Sequence, residues 1–329
     1  MKAIIVEEPG DASNLKLVDL PDPAIGDTDL LVKVHATALN RADTLQRMGQ
    51  YPAQQGASEV LGLELAGEVV GVGSAVDGFA TGDRVYGLSG GGGYGELATL
   101  HYSLAMPIPD GWDYATAASI PEVFFTANTA IRELGRIQPG ERALIHAGGS
   151  GVGIAAIQIT KLFGAEPWIT AGSPEKCDRA ASLGAAVTIN YKSQDFVQEV
   201  RDRTAGAGVD VILDVIGAEY WQRNLDALAS GGRLVLVGLM AGASAQVNLG
   251  QILGRRLQIM GTVMRSRPLE ARAQITQDYR RDLEPALIDG RMRTVIDRTF
   301  PLREAAEAHR YMEANRNFGK IVLDVANGV

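Results

Sequence analysis

Two hydrophobic rhythms divide this chain. In its middle, short, nearly continuous apolar stretches alternate with segments of helical periodicity. Residues 143–145 read as a buried strand, and 154–163 as a helix ended by Gly164. Further strands are expected at 167–172, 186–191, 209–216 and 233–238, and helices at 174–183, 195–204 and 218–229. The stretch 209–216 is apolar except for Asp210 and Asp214, and the strand at 233–238 should follow a turn at Ser230-Gly231-Gly232. Residues 257–263 offer a sixth strand. Apolar strands alternating with amphipathic helices predict an α/β, doubly wound parallel sheet covered on both faces.

The flanking parts follow a different rhythm. Short apolar stretches at 15–19, 29–38, 61–72, 84–88 and 98–106 are separated by turn residues such as Pro21, Pro23, Gly26, Gly73 and Gly82-Asp83. That spacing predicts a partly open β-rich barrel. The run Gly90–Gly93 reads as a surface turn, because no helix follows it. At the other end, a helix at 302–315 and a strand at 320–324 are placed to return to the barrel. Residues 1–122 and 264–329 are therefore expected to build one domain together, and residues 123–263 the other.

The link after the strand at 143–145 carries the first chemical signal. It reads Gly148-Gly149-Ser150-Gly151-Val152-Gly153 and leads into a helix. Strand, glycine turn and helix in that order form the context of a dinucleotide fingerprint. Backbone N–H groups at the helix start, with the positive end of its dipole, favour a pyrophosphate. The strict G-x-G-x-x-G form is broken, since Ser150 takes the middle glycine's place. An NAD site carries an acid about 20 residues further on, at the end of the next strand. Here that stretch is Thr170-Ala171-Gly172-Ser173-Pro174-Glu175-Lys176, with no acid at its first three positions. Gly172 leaves room for a 2′-phosphate, Ser173 offers a hydroxyl, Lys176 a countercharge and Tyr191 a phenol. The expected cofactor is NADPH.

Composition sets outer bounds. The 329 residues suffice for two domains. A net charge of −8 without a basic block argues against nucleic acid or an anionic membrane as main partner. No apolar run reaches the ~20 residues of a spanning helix. The N-terminus enters a strand directly, unlike a signal peptide. The single cysteine, Cys177, excludes an intrachain disulfide, and a cytoplasmic location is expected.

Several separated segments carry a resemblance: Ala38-Leu39-Asn40-Arg41-Ala42-Asp43, Gly49-Gln50-Tyr51-Pro52, Leu61-Gly62-Leu63-Glu64-Leu65-Ala66-Gly67, His146–Gly153, Ala171-Gly172-Ser173, Asn190-Tyr191, Gly238-Leu239-Met240, Tyr311-Met312-Glu313-Ala314-Asn315 and Gly319-Lys320-Ile321-Val322-Leu323. Over the whole chain these resemble the medium-chain dehydrogenase/reductase superfamily. Within it they look like the zinc-free NADPH quinone oxidoreductases, especially the tumour-suppressor-induced branch and its bacterial relatives. The resemblance implies a Rossmann domain with a GroES-like barrel, a small-molecule quinone as acceptor, and a homodimer. The apolar run 257–263 would be the pairing edge.

The resemblance also implies roles. Asn40 and Tyr51 would line the substrate side of the nicotinamide, with capping of a helix near Arg41 as the alternative for Asn40. Thr126, the turn from Gly148 through Ser150, Gly151 and Val152 to Gly153, the group Gly172, Ser173, Lys176 and Tyr191, and Gly238-Leu239-Met240 would contact cofactor. So would Arg267, with Arg265 as the alternative in register, and Phe318-Gly319-Lys320. Zinc-dependent members place a cysteine where this chain has Asn40 and a histidine where it has Leu63. A catalytic zinc needs three protein ligands. His35, His101, His146 and His309 show no ligand spacing, so no metal is expected. Reduction of an activated C=C bond in enones or alkenals, or a non-catalytic NADPH-binding role, would use the same cofactor features.

Overall fold

The computed structural model describes residues 1–53 and 56–328, so Val329, the last residue assigned to the barrel, lies outside the described residues. The strands, in chain order, are β1 (Lys2–Val6), β2 (Leu15–Asp19), β3 (Asp29–Ala38), β4 (Glu64–Val72), β5 (Arg84–Leu88), β6 (Leu97–His101), β7 (Ala105–Pro107), β8 (Arg142–Ile145), β9 (Glu166–Ala171), β10 (Val187–Asn190), β11 (Val209–Asp214), β12 (Leu228–Leu236), β13 (Gln258–Gly261), β14 (Ile296–Pro301) and β15 (Lys320–Asp324). Two compact units result. One holds Met1–Glu122, Arg265–Ile288 and the chain from Arg293 onward; the other holds Val123–Met264 and Asp289–Met292.

The second unit is the doubly wound α/β fold that the central rhythm predicted. Its six strands run parallel in the order β10-β9-β8-β11-β12-β13. The chain starts at β8 and builds outward to one side, then to the other. The reversal falls between β8 and β11, where Ala143 pairs Val211 and Ile145 pairs Leu213. Ligands bind such sheets in the crevice at the carboxyl ends of the strands next to a reversal. Leu144, Ile169, Ile212, Leu234 and Val235 are fully buried, as continuous apolar strands covered on both faces require. One reading is corrected. The Ser230-Gly231-Gly232 segment is not a turn before the strand. β12 already pairs from Leu228, and the partner register jumps from Leu228 to Arg233, so the glycines bulge within the strand. Composition alone cannot distinguish a bulge from a turn, because both draw on glycine.

The first unit is built around β3. Its sheet order is β14-β15-β3-β4-β5-β7, with β6 also on β3, and β1 pairs β2 separately. The amino-terminal half of β3 pairs β6, residues 36–38 pair β15, and nearly its whole length pairs β4. Register shifts in the β3–β4 ladder at Leu31/Val32 and Val34/Ala36 bend the strand, and bulges of this kind curl a sheet into a barrel. Alternate residues Leu30, Val32 and Val34 point into a core shared with Leu65, Val69, Val85, Leu100 and Leu323.

Two barrel expectations need correcting. The stretch 98–106 is broken by a short 3-10 turn, Tyr102–Leu104, between β6 and β7. The Gly90–Gly93 run is not a surface turn: Gly91, Gly92 and Gly93 are buried. A Cβ on Gly93 would lie 2.6 Å from Thr37 Oγ1 and 2.8 Å from the Glu64 carbonyl oxygen. Gly93 presses against β3 and β4, and a Cβ on Gly91 would lie 2.6 Å from the Ser58 carbonyl oxygen. Gly93→Ala should therefore lower stability by about 1–3 kcal/mol. Gly254→Ala, in the exposed helix Leu249–Arg255 with open space around the position, should raise it by about 0.5–1 kcal/mol. Denaturant unfolding of the two variants checks both signs.

Candidate active site

In the second unit, β8 ends at Ile145 and the helix Gly151–Leu162 begins after the glycine turn. Ser150 is extended and its Oγ accepts the Gly153 N–H at 3.0 Å, so it caps the helix. The outer glycines are required by closeness inside the turn. A Cβ on Gly148 would lie 2.6 Å from Ile169 Cβ, and one on Gly153 would lie 2.5 Å from the Ala147 carbonyl oxygen. Gly151 and Val152 are half-exposed in the first turn. Their N–H groups have no partner one turn earlier in the helix, which suits an anion.

The next strand ends without a carboxylate at Thr170 or Ala171. A Cβ on Gly172 would meet Tyr191 Oη at 2.5 Å, so the phenol lies over the glycine. The Tyr191 N–H donates to the Ala171 carbonyl at 3.1 Å, which fixes that approach. Ser173 Oγ accepts the Lys176 N–H at 3.2 Å and caps the helix Pro174–Ser182. Gly172, Ser173, Lys176 and Tyr191 thus gather at the carboxyl ends of β9 and β10. Beside them, His146 is buried between Thr170 Oγ1 at 2.9 Å and Asn224 Oδ1 at 2.7 Å. Burial pushes it down to about 4, so it is neutral. Its Nε2 donates to Asn224, whose amide in turn donates to Asp214 Oδ2 at 3.1 Å. This buried histidine holds two strand ends together.

Gly238-Leu239-Met240 leaves the carboxyl end of β12. The Gly238 N–H reaches the Asp214 carbonyl at 3.3 Å and the Met240 N–H the Val215 carbonyl at 3.2 Å, while the side chains of Leu239 and Met240 stay exposed. Leu239 also lines a cavity of about 230 Å³ with Gly217, Trp221, Leu236 and Val247. Thr126 is buried in the helix Pro121–Asn128.

In the first unit, register brings opposite charges together. Val322 pairs Ala38 in the β15–β3 ladder and Leu65 pairs Thr37 in β3–β4. The first residues of β15 and β4, Lys320 and Glu64, therefore converge where β3 runs out into Leu39 and Asn40. The Lys320 ammonium donates to Glu64 Oε1 at 2.7 Å, Asn40 Oδ1 at 2.8 Å and the Leu39 carbonyl at 2.8 Å. Glu64 Oε1 also accepts from Asn40 Nδ2 at 2.8 Å, and Oε2 from the Glu122 N–H at 2.8 Å. Glu64 is fully buried and Lys320 is 3% exposed. The Lys320 ammonium has three hydrogen-bond acceptors within the barrel. Asn40 precedes the helix Arg41–Arg47, but both ends of its amide go to the ion pair. Asn40 is the N-cap residue of that helix, and the Asp43 carboxylate, at the third helical position, reaches back to accept the Asn40 N–H at 2.7 Å. Burial pushes Asp43 up to about 6.

Next to this network lies Tyr51. The Arg265 guanidinium stands 5.1 Å from its ring centroid. Arg265 donates to Gln46 Oε1 at 2.8 Å and toward the carbonyls of Tyr51 at 3.4 Å and Gly90 at 3.5 Å. Arg265 is the arginine at Tyr51; Arg267 is half-buried two residues on. Burial, reinforced by Glu122, pushes the Tyr51 phenol up to about 12, so it remains a donor at neutral pH. Glu122 is half-buried, and burial followed by repulsion from Glu64 pushes its carboxyl up to about 8. Phe318 is buried, and Gly319 adopts φ +101, where a Cβ would strike the Val295 carbonyl. Sequence reasoning missed Glu64 and Glu122 as site members. The available signal was a carboxylate inside an apolar run, Leu61-Gly-Leu-Glu-Leu-Ala and Ile120-Pro-Glu-Val-Phe-Phe.

Among the described residues no group of three His, Cys, Asp or Glu is arranged to hold a metal ion. Asn40 and Leu63, at the positions where zinc-dependent members carry ligands, are buried. Known proteins share both units. Residues 26–110 match the alcohol dehydrogenase GroES-like domain, and residues 151–281 the family described as zinc-binding dehydrogenase. Quinone oxidoreductase of Rattus norvegicus is 31% identical over 98% of this chain and 97% of its own length. This chain belongs to the medium-chain dehydrogenase/reductase superfamily. A phenolphthiocerol/phthiocerol polyketide synthase of Mycobacterium tuberculosis is 34% identical over 97% of this chain, which spans only 14% of that protein. Among solved structures, Escherichia coli quinone oxidoreductase complexed with NADPH superposes with a TM-score of 0.91 at 28% identity, covering 99% of this chain and 100% of that one. CurK enoyl reductase reaches 0.86 at 30% identity, covering 98% of each.

Two measurements test the buried charges. Lys320→Met leaves Glu64 unpaired in the core and should cost about 3–5 kcal/mol in denaturant unfolding. Glu122 holds its proton in the folded state up to about 8, but loses it in the ordinary glutamate range when unfolded. Between those values the folded state binds more protons, so stability falls as pH rises through this window. Glu122→Gln should remove that slope, raising the melting temperature more at alkaline pH than at mildly acidic pH.

Proposed function

We propose that this protein is a zinc-free, cytoplasmic NADPH:quinone oxidoreductase. The observation that carries the cofactor half is the carboxylate-free end of β9, with Ser173, Lys176 and Tyr191 around Gly172. A carboxylate there would repel a 2′-phosphate, whereas a hydroxyl, an ammonium and a phenol suit one. The helix start at Gly151 and Val152 suits the pyrophosphate, and Gly238-Leu239-Met240 suits the nicotinamide end. The bound cofactor supplies hydride. Tyr51, held protonated, offers a ring to an aromatic acceptor and a hydroxyl to its carbonyl. A quinone accepts hydride without a Lewis acid, whereas alcohol oxidation needs help in deprotonating a hydroxyl. Likeness to quinone oxidoreductase over nearly its whole length supports this acceptor class, and the tumour-suppressor-induced branch remains the closer reading from the sequence segments.

Likeness to CurK enoyl reductase favours a second reading, reduction of an activated C=C bond with the same cofactor. A homodimer belongs to the first reading. β13 closes one side of its sheet with a partner strand on one flank only, and Leu249 and Leu253 nearby are 73% and 81% exposed.

Steady-state assays with NADPH, NADH, 1,2-naphthoquinone and an alkenal separate the readings. NADPH-preferring turnover of the quinone that a chelator leaves unchanged supports the proposal. Turnover of the alkenal alone selects the second reading, and NADPH binding without turnover of either selects a non-catalytic role. Lys176→Ala should weaken NADPH binding about tenfold, equivalent to ~1.4 kcal/mol, with little change for NADH. Tyr51→Phe should lower kcat/KM several-fold without abolishing turnover.

A further inference from the structure

The side chain of Arg265 is out of proportion to its partners. It is 5% exposed, and among its contacts are only neutral oxygens: the Gln46 amide and the carbonyls of Tyr51 and Gly90. Its Nε is buried with no hydrogen-bond partner among the described residues. Among the described residues no carboxylate lies within ion-pair distance of it. The nearest acids that act on it, Asp43 and Glu122, do so at longer range, and burial raises the proton affinity of both. A buried cation without an anion, and a buried N–H without an acceptor, each cost stability. Holding the Tyr51 segment by two carbonyls does not require a formal charge there, since a neutral amide donor would do the same. The charge is also positioned over the ring of Tyr51, the residue offered to the acceptor.

We infer that Arg265 is an oxyanion-binding residue: its guanidinium takes up the negative charge that reduction places on the acceptor oxygen, beside the Tyr51 hydroxyl. The inference rests on the proposed reduction of a carbonyl-bearing acceptor, quinone or enone. In that reaction a C–H bond of a dihydronicotinamide breaks, and its hydrogen leaves with two electrons. On an enone a new C–H bond forms at the β-carbon and the electron pair ends on the carbonyl oxygen as an enolate. On a quinone the hydride becomes the hydrogen of a new O–H bond at one oxygen, the ring π bonds shift, and the electron pair ends on the other oxygen as a phenolate. The nicotinamide is left oxidised. Solvent then gives a proton to the oxygen. A fixed cation in a water-poor site stabilises such charge as it develops, and the protonated phenol of Tyr51 adds a second donor.

The test uses 4-nitrophenol as a stable stand-in for the phenolate product and reads its absorbance in the presence of the whole protein saturated with NADP⁺. Bound to the wild-type protein, the phenol should ionise about one pH unit lower than in solution, as expected beside a cation. In Arg265→Gln the shift should disappear, and in Arg265→Lys part of it should remain. With a quinone or an enone as acceptor, Arg265→Gln should lower kcat about a hundredfold, with the KM for NADPH unchanged, and Arg265→Lys should recover part of the loss. Failure of the phenolate to bind the wild-type protein, or equal ionisation in wild type and Arg265→Gln, overturns the inference. So does a loss in Arg265→Lys as large as that in Arg265→Gln. The wild-type ionisation shift needs no variant, so misfolding of Arg265→Gln leaves the test intact. Absence of any wild-type turnover would instead overturn the proposed function, while the phenol shift would still be readable.

Discussion

The buried ion pair between Glu64 and Lys320 is the constraint on which the barrel unit depends. Neither charge can be left alone in the core, so each must find its partners completely. Glu64 accepts from Lys320, Asn40 and the Glu122 backbone; Lys320 donates to Glu64, Asn40 and Leu39. That closure determines the Asn40 rotamer, because only one orientation of its amide turns the NH₂ toward the carboxylate and the oxygen toward the ammonium. It also ties strands from opposite ends of the chain to the exit of β3. The start of the following helix and the segment around Glu122 are positioned by the same few hydrogen bonds. A buried pair of this kind contributes little net stability compared with an apolar replacement, but it specifies one arrangement of the groups around it.

Burial perturbs the ionisable groups beside that pair. Burial, followed by the charge of Glu64, keeps the Glu122 proton to about 8; burial, followed by Glu122, keeps that of Tyr51 to about 12. Arg265 is a charge not neutralised by the network beside it. Protonated phenol, protonated carboxyl and uncompensated guanidinium make this region of the first unit rich in donors and poor in acceptors. Such a surface suits an oxygen that gains negative charge. In the second unit the features are backbone features: glycines that permit close approach, helix starts capped by Ser150 and Ser173, and a strand end without a carboxylate. They suit phosphates, which gain no charge in a reduction but must be held.

Errors in reading the sequence occurred where one residue type serves two physical ends. Glycine signals a turn, a bulge or a close approach alike: the run at 91–93 is buried against neighbouring segments, and Gly231-Gly232 lies in an irregular stretch of β12. Asn40 is the N-cap residue, as one reading expected, and its amide also serves Lys320 and Glu64, charges remote in sequence. Arg265 and Arg267 are two residues apart, and periodicity in an irregular segment cannot say which one turns inward. The pairing of Lys320 with Glu64 was not legible, because the two lie 256 positions apart.

Local chemistry was sufficient for what the sequence determined alone. Apolar strands alternating with amphipathic helices specify a parallel sheet, and short apolar stretches between turns specify the curled barrel. A glycine turn between strand and helix has the pattern of a dinucleotide site, and the strand end without an acid supports the proposed phosphate preference. These signals act over a few residues, and neighbouring side chains carry them. Tertiary structure alone decided which buried charges meet, which proton each acid keeps, and which arginine reaches Tyr51. Those outcomes depend on strand register and desolvation, which arise only when distant segments exclude water together.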